Sequence, residues 1–415
     1  MGTERFKITV EKLVKMSDVF VAEAPEVIIG QTPVIAGPRT PRIVYNGFVF
    51  SATGFGTAAR SYIHALHRAA IQISVIDRRG EANRSIDDPL IDSLLKRPIN
   101  ADFCICHTEP LDLVSLREVF PRLIALTTWE AETLPDQFVT VLDQVREVWT
   151  PSRYNAEVFR RQLKTPVFQL PHPVHVPPAK VENAAEIERR FDLAKDDFVV
   201  LAVATWQERK NLAGTVEAFL RAFAHEPKAK LLIKTMFGFT HPLIARKQVA
   251  LAIQRSGAQL TPDGLNARIK IFQDHWTEDR MAALMRRADC YISLHRSEGW
   301  CYPLFDAACA GTPVVATGYS GPMDYLDPRC HHLVRYAMTP AARGDDPDYF
   351  HFTPEMVWAA PDARHAAELL RAVYENRDEA RQQAEAGAAQ IRNKYSLEAV
   401  GQMARQRLEH LMGMV

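Results

Sequence analysis

The sequence has no charge excess of either sign: 50 Lys plus Arg stand against 50 Asp plus Glu. A protein that grips nucleic acid by its phosphates needs a basic surplus or stripe, so no nucleic-acid partner is expected. Cysteine is scarce. Cys104, Cys106, Cys290, Cys301, Cys309 and Cys330 lie in apolar or strand-like runs, without the ligand spacing of a zinc site or the density of a disulfide scaffold. They point to a reducing cytoplasm, and no residues have the spacing of a tight metal site. No apolar run approaches the roughly 18 residues that a membrane span requires. The opening MGTERFKITV mixes acids and bases ahead of any apolar stretch, and Phe6 stands where a myristoylation signal has Ser or Thr. A soluble or, at most, peripheral chain is expected. Gly 19 and Pro 26 are scattered instead of massed, which excludes collagen and low-complexity disorder.

What is there is large enough for two α/β domains, since 415 residues exceed one ordinary domain. Residues 1–40 read as an N-terminal extension with no legible chemistry. From Arg42 short β-branched runs alternate with longer periodic segments: RIVYNGFVF, a helix from about Thr57, QISVID, DFCIC, RLIALTTW, REVWTP, the helix SRYNAEVFRRQLK, and PVFQL. Pro171, Pro173, Pro177 and Pro178 then break the pattern. A second alternation follows: DFVVLAVATW, a helix from Asn211, AKLLIKT, RIKIFQ, a helix opening at Thr277, DCYISL, a helix from Pro303, and TPVVAT. From Asp362 the pattern is helical. The expected division is a first Rossmann-like domain at 41–175, a second at 176–395, and a C-terminal helix at 396–415 that could pack back on the first domain. Two doubly wound parallel sheets in series imply a central cleft.

Two glycine-rich signals compete. Gly54, Gly56 and Ala59 in TGFGTAA fit a G-x-G-x-x-A pattern, with Asp77 at the end of the next strand; alone, that is a nicotinamide-dinucleotide fingerprint. Against it, Ser51, Ala52 and Thr53 separate the turn from its strand, and a loop needing φ > 0 before a helix explains the glycines as well. The second signal is SEGWCYPLFDAACAGTPVVAT. A buried strand at Tyr291–Leu294 places Glu298 at its carboxyl end, Gly299 permits a tight turn, and Pro303 suits the first turn of a helix containing Asp306. Backbone N–H groups at that helix start would face a diphosphate, and Asp306, one turn in, could accept hydrogen bonds from a ribose diol.

The acid pair eight apart, the intervening GWCYP and the following AGTPVVAT resemble the signature region of retaining glycosyltransferases of family 4, glycosyl transferases group 1, which have the GT-B fold. CHTEP, TTWEAETLP, VREVWTPSRYNAEVFRR, ERKN, ADCYISLHRSEGW and YSGPMDYL fall in that family's order, so the resemblance covers roughly residues 42–410. It implies a metal-independent hexosyltransferase using a UDP- or GDP-linked sugar, with no cofactor, a saccharide or lipid-linked acceptor, and a setting in surface polysaccharide biosynthesis. The donor would lie against the second domain and the acceptor against the first. Arg209 and Lys210, between a strand and a helix where an α/β sheet presents its ligand groups, are assigned by the resemblance to the donor diphosphate. Glu298 is assigned to the donor sugar's hydroxyls. Gly299, Trp300, Cys301, Tyr302 and Asp306 complete the expected donor site, with Trp300 as a packing residue beside the sugar.

On the acceptor side, Gly54 and Gly56 would line the cleft, and His107, Glu109 and Glu130 end strands on the same sheet edge. A structural role for His107 is an equal alternative, and for His172 and His175 in the hinge it is preferred. Arg153, Arg160, Arg161 and Lys164 could share a helix face, either an ordinary solvated one or a contact with an anionic membrane. Three departures mark the donor site: Thr205 and Trp206 where many relatives have Gly-Arg, Cys301 for Gly, and Asp306 for Glu. Thr128 and Trp129 stand where many relatives carry a His. Two other readings stay open: a non-catalytic sugar-nucleotide-binding subunit or scaffold, and a nicotinamide-dependent dehydrogenase.

Overall fold

The computed structural model describes residues 40–413 except 52, 79–83, 85, 118, 121, 175–180, 237–240, 275, 342–351 and 354. The extension before residue 40 and His175, Pro177 and Pro178 of the hinge therefore lie outside the described residues.

The first sheet is built from β1 Arg42–Gly47, β2 Gln72–Asp77, β3 Phe103–His107, β4 Leu123–Leu126, β5 Glu147–Thr150 and β6 Val167–Gln169. Their order is β2-β1-β3-β4-β5-β6, with every pairing parallel. β3 and β4 are buried along their whole length, which is why they read as continuous apolar runs instead of alternating ones. The second sheet comprises β7 Phe198–Thr205, β8 Ala229–Met236, β9 Ile269–Phe272, β10 Cys290–Ser293, β11 Val314–Thr317 and β12 His332–Val334. Its order is β12-β11-β10-β7-β8-β9, again all parallel. Two Rossmann-like domains face one cleft, the GT-B arrangement.

Strand order decides where ligands go. In an open α/β sheet the crevice forms where successive crossovers leave in opposite directions, beyond the carboxyl ends of the strands. In the first sheet that point lies between β1 and β3, and in the second between β7 and β10. Both open toward the cleft.

Several elements differ from the sequence expectation. β1 stops at Gly47, because Ser51 N donates back to Phe48 O and turns the chain. The following helix begins at Gly54 instead of Thr57. The periodic pattern also missed β12 and an antiparallel hairpin, β13 Tyr336–Pro340 with β14 Val357–Pro361. The segment that carries this hairpin leaves the second domain and crosses to the first, where Ala341, Phe352, Met356 and Trp358 join the core around Val44, Cys104 and Trp129. Phe352 stacks on Trp129 at 4.9 Å and 21°. The C-terminal helix Leu397–Leu411 also reaches the first domain. Val400, Ala404 and Leu408 share a core with Ile43, Ile73 and Trp149, and Arg407 Nε donates at 2.9 Å to the buried carboxylate of Glu147.

Candidate active site

A cavity of about 700 Å³ occupies the cleft. On the second-domain side β7 runs out into a 3₁₀ turn, Glu208–Lys210, and then Asn211, whose left-handed backbone (φ 51) and side chain cap the helix Leu212–Phe223. The turn is tied to the loop after β10 by Arg296 N donating to Arg209 O at 2.7 Å. Arg209 and Lys210 are thereby set against Glu298, across the switch point of the second sheet.

Glu298 is 3% exposed. Lys210 Nζ lies 2.5 Å from its Oε1 and Arg209 Nη1 lies 3.0 Å from its Oε2. Burial by itself would raise the carboxyl's pKa, but the Lys210 and Arg209 charges outweigh it and hold it down to about 2. Arg209 also donates to Ser297 O at 2.8 Å and reaches Glu130 Oε1 of the first domain at 3.3 Å. Arg209 is thus paired by carboxylates from both sides of the cleft, and Lys210 by Glu298 of its own side.

The helix Tyr302–Cys309 starts at the same place, with Cys301 as its N-cap residue at φ 70, ψ 75. That left-handed backbone costs a non-glycine residue roughly 1 kcal/mol. The Cys301 departure therefore bears on backbone strain as well as on space near a phosphate. Gly299 has a different reason from the tight turn expected of it. A Cβ there would sit 2.7 Å from Thr128 Cβ and 3.0 Å from Asn155 Oδ1, so the glycine admits the first domain. Trp300 packs on Phe305 and Tyr325, at 5.1 and 5.0 Å between ring centroids, while its buried Nε1 has no partner among the described residues. Tyr302 and Asp306 line the cavity. Burial, with a smaller push from Glu278, raises the Asp306 carboxyl to about 7, so near neutrality it is divided between charged and uncharged forms.

On the first-domain side the structure separates the expected residues. Gly54 lines the cavity and has open space where a Cβ would go. Gly56 does not line it: a Cβ there would meet Ser51 O at 2.0 Å, so that glycine lets the helix pack beneath its own preceding loop. Neither glycine has positive φ, which removes the loop explanation offered for them. Asp77 is also absent from the cavity lining, leaving the dinucleotide fingerprint without its ribose acceptor. His107 is buried on the lining, and its Nδ1 lies 2.7 Å from Tyr45 Oη; burial lowers its pKa to about 3, so the ring is neutral. Glu130 is present on the lining, whereas Glu109 is exposed at the start of the turn Pro110–Asp112 and outside it.

Some cavity residues were not assigned to the site from the sequence. His172, expected to be a hinge residue, lines the cavity with its ring 4.7 Å from Tyr302 and 5.5 Å from Trp300. Arg60, 2% exposed, donates to Val49 O and Ser51 O and reaches across the cleft to Glu278 Oε1 at 2.6 Å. Lys234, on β8, also lines the cavity. Arg60 and Glu278 are 218 residues apart, and no local pattern marks such a pair. Among the described residues no three His, Cys, Asp or Glu side chains come together as a metal site. No helix among them is long and apolar enough to cross a membrane.

Residues 183–334 match the family model described as Glycosyl transferases group 1. The matched segment contains β7 to β12 with Arg209, Lys210, Glu298 and Asp306. Solved structures resemble the chain over most of its length. Anabaena HepE in complex with UDP and glucose is 12% identical with a TM-score of 0.63, over 89% of this chain and 100% of that one. A sucrose-phosphate synthase from Thermosynechococcus elongatus is 16% identical with a TM-score of 0.64, over 91% and 100%. A glycosyltransferase from Rickettsia africae is 12% identical with a TM-score of 0.63, over 90% and 99%. At these identities the likeness establishes the fold, which is GT-B. No curated protein matches the chain by sequence.

Proposed function

We propose that this chain is a retaining glycosyltransferase of family 4 that moves a hexose from a UDP- or GDP-linked donor to a saccharide or lipid-linked acceptor, without a catalytic metal. The observation that carries this reading is the pairing of Glu298 with Lys210 and Arg209 at the β7/β10 switch point, inside the group 1 segment and facing the first domain's own switch point. The HepE complexes with UDP and with UDP-glucose support a sugar-nucleotide donor for this fold.

In this chemistry the bond from the anomeric carbon to the β-phosphate oxygen breaks and its electron pair stays on the phosphate. The acceptor hydroxyl oxygen bonds to the anomeric carbon on the same face, and its proton passes to the leaving phosphate. Charge therefore develops where fixed cations do most good. Lys210 has three donors, of which Glu298 takes one, so it can hold the carboxylate and a phosphate oxygen together. Glu298, kept ionised by its two cations, is left to accept from sugar hydroxyls. His107, being neutral, contributes no charge on the acceptor side.

The exposed face of the helix Arg153–Gln162 is a candidate contact with an anionic membrane, but Glu157 interrupts the row that Arg153, Arg160 and Arg161 form, and Lys164 lies beyond the helix end. Bacterial surface polysaccharide assembly in the cytoplasm is the setting this reading favours. The scaffold reading draws on the strained Cys301 and the partly uncharged Asp306.

The test is a thermal-shift panel of UDP, GDP, ADP and NAD, followed by mass spectrometry of products formed from the matching sugar nucleotide and a pool of acceptors. Transfer with retained anomeric configuration is expected. Stabilisation by NAD alone overturns the reading, and binding without transfer to any acceptor favours the scaffold.

A further inference from the structure

Positive charge around the cavity is largely committed before any ligand arrives. Arg209 is held by Glu298, Glu130 and Ser297 O, Lys210 by Glu298, and Arg60 by Glu278. Lys234 differs. It sits near the carboxyl end of β8 and lines the cavity half-buried, and among the described residues no hydrogen bond or ion pair engages its ammonium. The nearby charge of Asp274 acts on it, but that carboxylate is paired with Arg190. Burial lowers the ammonium's pKa, the mark of a cation partly stripped of water without a replacement.

Its surroundings point to a ligand of definite shape. By strand alternation Lys234 shares a sheet face with Leu232, which belongs to the apolar cluster under the helices Glu278–Arg287 and Tyr302–Cys309. Val203, Trp276, Met281 and Met285 are in or against that cluster and also line the cavity. Asp306 opens onto the cavity from the second of those helices. With a diphosphate at the β7/β10 crevice and a ribose at Asp306, the nucleobase has these apolar walls to enter. Lys234 lies on the other side of β7 from β10, removed from the crevice that holds the phosphates.

We propose that Lys234 reads the donor's nucleobase, selecting one whose Watson–Crick edge presents a carbonyl oxygen, uracil or guanine, over adenine, whose edge presents an amino group. This rests on the donor-binding reading proposed above. An ammonium has three donors and no acceptor, so it complements a keto oxygen and opposes an amino group, and a half-desolvated donor left without its acceptor discriminates more strongly than a shape mismatch does.

The experiment is calorimetric titration of the full chain with UDP, GDP and ADP, comparing wild type with Lys234→Met, which keeps the length and removes the charge. Thermal unfolding of both checks the fold. Wild type is expected to bind UDP or GDP at least tenfold more tightly than ADP, and Lys234→Met to lose at least tenfold for the favoured nucleotide while ADP changes less than threefold. An equal loss for all three would make Lys234 a phosphate contact and overturn the inference. So would an unchanged ratio of the favoured nucleotide's affinity to that of ADP in the variant, or a wild type that prefers ADP. If wild type binds none of the three, the donor-binding reading itself fails, and this inference with it.

Discussion

Lys210 Nζ and Glu298 Oε1 lie 2.5 Å apart across the β7/β10 crevice, although 88 residues separate them in the chain. On the proposed reading, the cation that would meet a diphosphate is thus already engaged by the carboxylate that would hold the sugar. Nucleotide bound in this crevice would have to share that cation with Glu298.

Glu298→Gln should abolish transfer yet bind nucleoside diphosphate as tightly as wild type or more so, because Arg209 and Lys210 lose a competing anion. Titration with UDP and GDP, alongside turnover at saturating donor, checks both halves. Turnover at the wild-type rate would remove Glu298 from the mechanism. The same variant should alter acid stability. A carboxyl held down to about 2 against the ordinary 4.5 stabilises the fold above the higher value, and that stability is lost as pH falls toward the lower one. The difference corresponds to roughly 3 kcal/mol. Unfolding midpoints of the variant should therefore fall less steeply than those of wild type between pH 5 and pH 2.

Lys210→Ala should weaken nucleoside diphosphate binding and slow transfer together. The loss expected for a cation at a developing phosphate charge is about 10²–10³-fold in turnover. Steady-state kinetics with unchanged kcat and KM would move the clamp elsewhere.

Cys301 supplies a stability test. Cys301→Gly relieves a left-handed backbone and should leave the melting temperature unchanged or higher, with transfer within about tenfold of wild type, roughly 1.4 kcal/mol. Cys301→Val puts a β-branched side chain at the same φ and should lower the melting temperature. Turnover that appears only when Cys301→Gly is combined with Asp306→Glu would sustain the scaffold reading.

Asp306 should give donor binding a pH dependence. Because burial raises its pKa to about 7, the free protein loses stability as pH rises from the ordinary carboxylate range toward 7, while a ribose diol is held better by the ionised form. Nucleotide affinity should rise with pH up to about 7 in wild type. In Asp306→Asn that increment should be missing, and the comparison at each pH cancels the titration of the diphosphate. Since Glu278 contributes to the raised value, Glu278→Gln should move the wild-type profile to lower pH. Isothermal titration from pH 5.5 to pH 8 decides both.

Chelation should leave transfer intact. Activity measured after EDTA treatment, with and without added divalent ions, checks this; loss on chelation with recovery on adding the ion would contradict it.

The two sheets were legible because strands buried on both faces must be nearly all apolar, as FVVLAVAT and FCICH are. The second crevice was legible for a related reason: a strand, a short polar turn and a proline-started helix lie together in Tyr291–Cys309, so local order places Glu298 beside the helix start. The first crevice was less so. Gly54 and Gly56 look alike in sequence, but one opens on the cavity and the other lies under Ser51 O, a distinction made by how the loop folds over its helix.

Composition and spacing alone determined that the chain forms two parallel-sheet domains and that Arg209, Lys210, Glu298 and Asp306 lie at strand ends and a helix start, because short-range hydrophobic periodicity and turn chemistry dictate those elements. The pairing of Glu298 with both cations, the Arg60–Glu278 bridge, the ammonium of Lys234 left unpaired among the described residues and the crossing of Phe352 and Trp358 onto Trp129 were decided only by tertiary structure. Each depends on distance and desolvation between segments far apart in the chain, and neither quantity has a local signature.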